Sequence, residues 1–183
     1  MKILHFPKKT IAPQDFERLI KPHVDHLYRL AFRFCNDKDN AEDLVQDVLI
    51  KLYSGKTSLL EIEELRPWLA RVLYNQFVDS KRRSARSPVQ SIEDIPEQDE
   101  PSASANTRPD QALERRQKLE ILQQAFNRLS EEHRIVTTLH DVEGYSLKDM
   151  QAILDLPMGT LKSRLHRARA HLKELLSKQQ VRS

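Results

Sequence analysis

The sequence predicts an all-α protein of two small helical domains joined by a flexible acidic linker, and three observations carry that prediction. Apolar residues recur at helical spacing on both sides of the middle of the chain, as in Leu44, Val45, Val48, Leu49 and Leu52, while alternation of period two is absent. Residues 88–112 hold Pro88, Pro96, Pro101 and Pro109 among Ser, Asn and acidic side chains, a composition that sustains neither a helical nor a strand period. The 183 residues leave room for one ordinary domain or two small ones, not for a large catalytic barrel.

The elements follow in order. Helices are expected over residues 14–35, 39–54 and 65–84, then 113–128, 131–140, 147–154 and 158–177. In the second, Leu44, Val45, Val48, Leu49 and Leu52 share one side. In the third, Leu69, Val72, Leu73 and Phe77 do so, with Pro67 near the helix start, where a missing N–H is tolerated. Trp68 is expected in the core rather than as a platform for a stacked base. Residues 88–112 have too few apolar groups to offset ordering entropy and are expected to act as a solvated tether. Ser130 and Ser146 are N-cap candidates, the latter followed three residues later by Asp149. Domains are therefore expected at 14–87 and 113–178, with the linker at 88–112.

Composition excludes several classes. A single cysteine, Cys35, allows no internal disulfide and no thiolate zinc cluster, and the opening MKILHFPKKT lacks the apolar run of a signal peptide. An uncleaved, soluble protein of a reducing compartment is expected. No stretch approaches the roughly 20 apolar residues of a membrane helix, and three glycines are too few for a Gly-rich phosphate cradle. The net charge of +3 conceals an uneven distribution: +2 over residues 1–15, +2 over 16–87, −5 over 88–112 and +4 over 113–183. Two basic blocks around an acidic one point toward nucleic acid.

The segment SLKDMQAILDLPMGTLKSRLHRARAHLK, Ser146 to Lys173, has a short helix, a break at Asp155-Leu156-Pro157, and a long second helix, which is helix-turn-helix grammar. Leu161, Leu165, Ala168 and Leu172 share one face of that helix. At about 100° per residue, Lys162, Ser163, His166 and Arg167 fall opposite, with Thr160 at the edge and Arg164 and Arg169 flanking the stripe. Five Lys or Arg and no Asp or Glu lie between Met158 and Lys173. A solvated basic helix is the bland alternative; the preceding short helix and turn favour a recognition helix in a major groove. Lys162 and Arg167 are candidates for base edges, Ser163 and Thr160 for phosphate or base, and Arg164 and Arg169 for phosphate.

In AEDLVQDVLIKLY, the polar face of Glu42, Asp43, Gln46 and Asp47 fits either a solvated surface or the dock for a basic partner. In LRPWLARVLYNQFVDSKRRSAR, Asn75, Asp79, Arg82 and Arg83 lie roughly opposite the apolar stripe, and the helix runs into Lys81, Arg82, Arg83 and Arg86. An amide such as Asn75 either stands in water or holds a base edge.

Together these segments resemble the sigma-70 family of bacterial sigma factors. The stretch from Ala112 to Leu172, with its core GTLKSRLHRARA, resembles the fourth domain, and AEDLVQDVLIKLY with PWLARVLYNQFVDSKRR resembles the second. The order of the blocks, without a middle domain, is similar to the extracytoplasmic-function subfamily. The resemblance implies docking on core RNA polymerase through Asp43, Gln46 and Asp47. It implies capture of a minus-ten promoter element around Asn75, with Asp79, Lys81, Arg82, Arg83 and the loop at about residues 54–64. It implies reading of a minus-thirty-five element by Thr160, Lys162, Ser163, His166 and Arg167, with Arg164 and Arg169 beside them. It further implies a linker threading the polymerase channel, an anti-sigma partner, a cytoplasmic location, no cofactor and no catalysis of the chain's own. The loop KTSLLEIEEL departs from the aromatic and Gly-rich pattern, and His166 occupies a variable position.

Seven histidines raise a metal site, but His23 with His26 and His166 with His171 lack a carboxylate or thiol at ligand spacing, so none is expected. Asp43 and Asp47 lack the pocket that acid-base catalysis needs. Two other functions fit the residues: an autonomous helix-turn-helix repressor or activator, which would dimerise on paired half-sites, and an interaction protein that sequesters another regulator through the acidic helix face.

Overall fold

The structure, a computed structural model, describes residues 12–55, 59–86 and 109–180, the side chains of 109–117 and 179–180 excepted, and every regular element among them is helical. The N-terminal domain has α1 (Pro13–Ile20), α2 (Val24–Cys35), α3 (Lys38–Ser54) and α4 (Leu65–Arg86). The C-terminal domain has α5 (Pro109–Asn127), α6 (Glu131–Thr137), α7 (Leu147–Leu154) and α8 (Met158–Gln180).

The expected helix over 14–35 is broken in two. Pro22 has no N–H to give, and the chain passes through a 3-10 turn at Lys21–His23 before α2 begins. Asn36, in the left-handed conformation at φ 55°, ends α2. The Asp37 carboxylate then accepts the Asn40 N–H at 2.7 Å and starts α3. The expected linker lies outside the described residues over 88–108, while 109–112 belong to α5, whose start at Pro109 precedes the expected 113. Proline at the first helical position costs no hydrogen bond.

The expected helix over 131–140 also changes form: α6 gives way at Thr138–Val142 to a π turn, in which the Glu143 N–H reaches the Thr138 carbonyl at 2.9 Å. Gly144 leaves this turn at φ 72°, which a side chain would strain. Ser130 makes no side-chain cap, but Ser146 does: its hydroxyl accepts the Asp149 N–H at 3.1 Å while the Asp149 carboxylate accepts the Ser146 N–H at 3.0 Å. Ser146→Ala is expected to lower the unfolding free energy by about 1 kcal/mol. Urea denaturation measures this, and an unchanged midpoint would show the box to be idle.

Each domain buries one stripe per helix. Leu27, Leu30, Phe34, Leu44, Val48, Leu69, Leu73 and Phe77 form the N-terminal core, with Phe34 against the rings of Tyr74 and Phe77 at 6.3 and 5.8 Å between centroids. Leu139, Met150, Ile153, Leu161, Leu165 and Ala168 fill the C-terminal one. Trp68 is half-buried against the core. The two domains are docked: α4 packs along α7, the end of α2 meets α6, and the buried apolar residues form one continuous cluster across the junction.

Candidate nucleic-acid interface

Helix α8 presents its predicted face. Leu161, Leu165 and Ala168 are buried, and Lys162, Ser163, His166 and Arg167 stand exposed on the other side, with Thr160 half-buried between. The Ser163 hydroxyl donates to the Thr160 carbonyl at 2.9 Å, and the Arg167 guanidinium donates to the Ser163 carbonyl and hydroxyl, each at 3.3 Å. These contacts hold Arg167 along the helix surface. The flanking arginines are tied down: Arg164 pairs with Glu132 of α6 at 3.1 Å, and Arg169 grips Asp141 of the π turn, with Nε to Oδ2 at 3.1 Å. The Asp141 carboxyl is held below its ordinary range, first by the hydrogen bond from Arg169.

Helix α4 separates the residues grouped in sequence. Asn75, Asp79, Arg82 and Arg86 fall on one exposed stripe, since successive residues turn by about 100°. Lys81 faces away and pairs with Glu131 of α6 at 3.1 Å, and Arg83 turns toward α3, 3.9 Å from Asp47. A cleft of about 540 Å³ between α3 and α4 is lined by Lys51, Gln76, Asp79, Arg82, Arg83 and Arg86. Gln76, buried within a polar stretch, donates to Asp47 at 3.0 Å and accepts from Lys51 at 3.2 Å, joining the two helices. Its role was not legible beside Asn75, because only the fold shows which of two neighbouring amides turns inward.

On α3, Asp43, Gln46 and Asp47 are exposed as expected, and two large apolar residues continue the same surface: Ile50 at 59% and Tyr53 at 55% exposure. The sequence reading missed both, because apolar side chains in an amphipathic helix are assigned to the core by default. Of the loop after α3, Leu59 is buried and Leu60 exposed in the 3-10 turn Leu59–Glu61, and 56–58 lie outside the described residues.

A polar cluster sits where the domains meet. The Glu143 carboxylate lies 2.9 Å from His26 Nδ1, within ion-pair range though off the line of an N–H···O bond, and 3.2 Å from Arg66 Nη2. Arg66 also donates to the Glu143 carbonyl at 2.9 Å and stacks on the Tyr145 ring at 4.8 Å. His26 Nε2 and the Tyr145 hydroxyl are 2.8 Å apart, and that hydroxyl donates to the Arg66 carbonyl at 3.3 Å. Contact with His26 leads the causes that hold the Glu143 carboxyl below its usual range; burial opposes it, and Arg29 and Arg66 add attraction. Nearby, buried Arg134 of α6 donates to the carbonyls of Arg33 and Phe34 at 2.8 and 3.0 Å, using the free C-terminal carbonyls of α2.

Burial pushes the Cys35 thiol up to about 12, which disfavours a reactive thiolate. The histidines diverge: His26 joins the junction, His166 is exposed, and His171 lies edge-on to His133 with centroids 6.5 Å apart. Among the described residues, no three His, Cys, Asp or Glu gather as a metal site, and no helix is long and apolar enough to cross a membrane.

Comparison with known proteins matches two separate segments of the chain. Residues 19–87 match the family model for Sigma-70 region 2, and residues 119–172 match that for Sigma-70, region 4. The chain is 31% identical over 172 residues to the ECF RNA polymerase sigma factor SigE of Mycolicibacterium smegmatis, an alignment that covers 91% of the chain and 63% of SigE. It is 31% identical over 161 residues to the ECF RNA polymerase sigma factor SigM of Mycobacterium tuberculosis, covering 88% of the chain and 76% of SigM. Among solved structures it is similar to the sigma factor RpoE of Bartonella quintana, determined in complex with the anti-sigma factor NepR. The TM-score is 0.71 at 30% identity, over 90% of this chain and 98% of that one.

Proposed function

The chain belongs to the sigma-70 family, in the extracytoplasmic-function branch of RNA polymerase sigma factors, and from that premise we propose that it docks on core RNA polymerase through α3 and directs initiation at promoters read at two elements. The observation that carries this is the division of α8: one face is locked into the domain by Leu161, Leu165 and Ala168, and the other offers Lys162, Ser163, His166 and Arg167 to a groove. The stripe of Asn75, Asp79, Arg82 and Arg86 on α4 fits the minus-ten element. Arg83 and Lys81 join it only by leaving Asp47 and Glu131. Asp43, Gln46 and Asp47, extended by Ile50 and Tyr53, form the polymerase dock, in which an apolar centre within a polar rim suits a protein partner. We read the domains as residues 14–87 and, counting α5 from its start, 109–178, with the acidic segment between them. An anti-sigma partner and a cytoplasmic location belong to the same reading. Sigma factors are generally non-enzymatic, and bond-making in this complex falls to the polymerase.

Transcription with purified core polymerase, with and without the chain, on a promoter library tests this. The expected result is strong initiation from a small subset of promoters, only when the chain is present. Asp43→Lys with Gln46→Ala alters exposed residues that have no partner among the described ones, and is expected to weaken core binding at least tenfold while leaving helicity intact. Equal output from every promoter would overturn the reading, as would tight binding of a dimer to a palindrome without polymerase.

A further inference from the structure

Gln76 occupies a place on α4 where the helical pattern calls for an apolar residue. The buried residues of that helix are Leu69, Ala70, Leu73, Gln76 and Phe77, and the other four are apolar. At 8% exposure the Gln76 amide has lost most of its water, and an amide desolvated without partners is costly. Both ends of it are used instead, and both partners stand on α3, one turn apart. The amide N–H donates to Asp47 Oδ2 at 3.0 Å, and the amide oxygen accepts from Lys51 Nζ at 3.2 Å. A lysine ammonium can only donate and a carboxylate can only accept, so the two neighbours fix which way the amide points. Glutamate at this position would set a carboxylate against Asp47, and leucine would meet neither partner.

The contact reaches the face that docks on core polymerase in the reading above. Asp43, Gln46 and Asp47 are all exposed on α3, and among the described residues Asp47 is the one of the three bonded to α4. Its two contacts across the helices, the Gln76 N–H at 3.0 Å and the Arg83 guanidinium at 3.9 Å, both fall on Oδ2. Among the described residues Oδ1 has no hydrogen-bond or ion-pair partner, so one oxygen is held while the other is left for an incoming donor. The Arg83 contact is long and exposed and holds little, whereas a short bond from a buried amide to a carboxylate is the stronger restraint. A side chain held in its binding geometry beforehand loses less freedom when the partner arrives.

We infer that Gln76 is a positioning residue for polymerase docking, which holds the Asp47 carboxylate in place from α4 without touching the polymerase itself. The inference rests on the docking reading above, and its test keeps the two apart. Gln76→Leu keeps most of the side-chain volume and removes both contacts. Affinity for core polymerase is measured for the full chain, for Gln76→Leu, for Asp47→Ala and for the double variant, with a urea midpoint for each. Gln76→Leu is expected to weaken core binding about three- to tenfold, the span of one hydrogen bond. In the Asp47→Ala background the same change is expected to cost less than about twofold, because the group through which it acts is gone. Gln76→Glu, close to glutamine in size and helix propensity, is expected to weaken core binding at least as much as Gln76→Leu. In transcription, raising the concentration of the Gln76→Leu chain over fixed core polymerase is expected to shift half-maximal output by the same factor and to leave the plateau within about twofold. An equal loss in both backgrounds would make Gln76 a purely structural residue, and a lowered plateau at unchanged half-saturation would put it on the promoter side. Either result overturns the inference. Core binding indifferent to Asp47→Ala sinks the dock and the part of Gln76 in it together, whereas binding that needs Asp47 but not Gln76 sinks the positioning role and leaves the dock standing.

Discussion

Replacing Lys162 and Arg167 together with alanine is expected to cut initiation at promoters that depend on the minus-thirty-five element by at least about 30-fold, while leaving the fold intact. Each good contact to a base edge is worth about 1–3 kcal/mol of discrimination, so losing two removes at least about 2 kcal/mol. Both side chains are exposed, and neither supports Leu161, Leu165 or Ala168, so the helix keeps its seat. Lys162→Ala alone is expected to relax sequence preference. Arg164→Ala and Arg169→Ala are expected to weaken binding evenly across sequences and to flatten its salt dependence. Their effect is softened, because each must first leave Glu132 or Asp141, and surface pairs of that kind are worth up to about 1 kcal/mol. Holoenzyme binding to a promoter library at several salt concentrations separates these outcomes. A changed preference from Arg169→Ala with none from Lys162→Ala would reverse the assignment.

The helices were legible because their evidence is local. The stripe of Leu161, Leu165 and Ala168 predicts its burial from spacing alone, and the Ser146 and Asp149 pair predicts its own cap. Pro22 and the π turn after Thr137 were not read, since both alter a helix without interrupting its apolar pattern. Exposure of the candidate site was equally legible, because the face opposite an apolar stripe is set by geometry.

The destination of each charged side chain was not legible. Lys81, Arg82 and Arg83 are neighbours in sequence, but a helix sends them to three directions, and only the packing of α3 and α6 beside α4 shows that two of them meet acids. The junction itself left no local trace. His26 and Tyr145 lie on different domains, Arg134 caps a helix from which it is separated by three others, and no periodicity connects such positions. The uneven charge suggested two separate basic heads; the structure shows part of that charge neutralised across the contact between them. The net +3 is therefore a poor guide to what the chain offers DNA, because Lys81 is held by Glu131 across the junction and Arg164 by Glu132 within the C-terminal domain.

Phe34→Ala is expected to cost about 3–5 kcal/mol, the usual penalty for emptying a buried aromatic site. Phe34 is fully buried between the rings of Tyr74 and Phe77, where α2 meets α4. Against a total stability of about 5–15 kcal/mol for a small protein, that loss leaves the N-terminal domain marginal. Phe34→Leu keeps most of the volume and is expected to cost less. How the loss appears depends on the junction. In the docked chain, whose apolar cores are continuous, urea unfolding is expected as one transition with a lowered midpoint. Arg66→Glu sets a carboxylate against Glu143 at the junction, and in that background the Phe34 substitution is expected to split unfolding in two, lowering the transition that carries α1 to α4 and sparing the one that carries α6 to α8. The lost docking domain should then take core binding with it, while the fold of α7 and α8 persists. A single unshifted midpoint in the docked chain would show that Phe34 does not anchor this core, and a single transition in both backgrounds would show that the domains remain coupled without the contacts at Glu143.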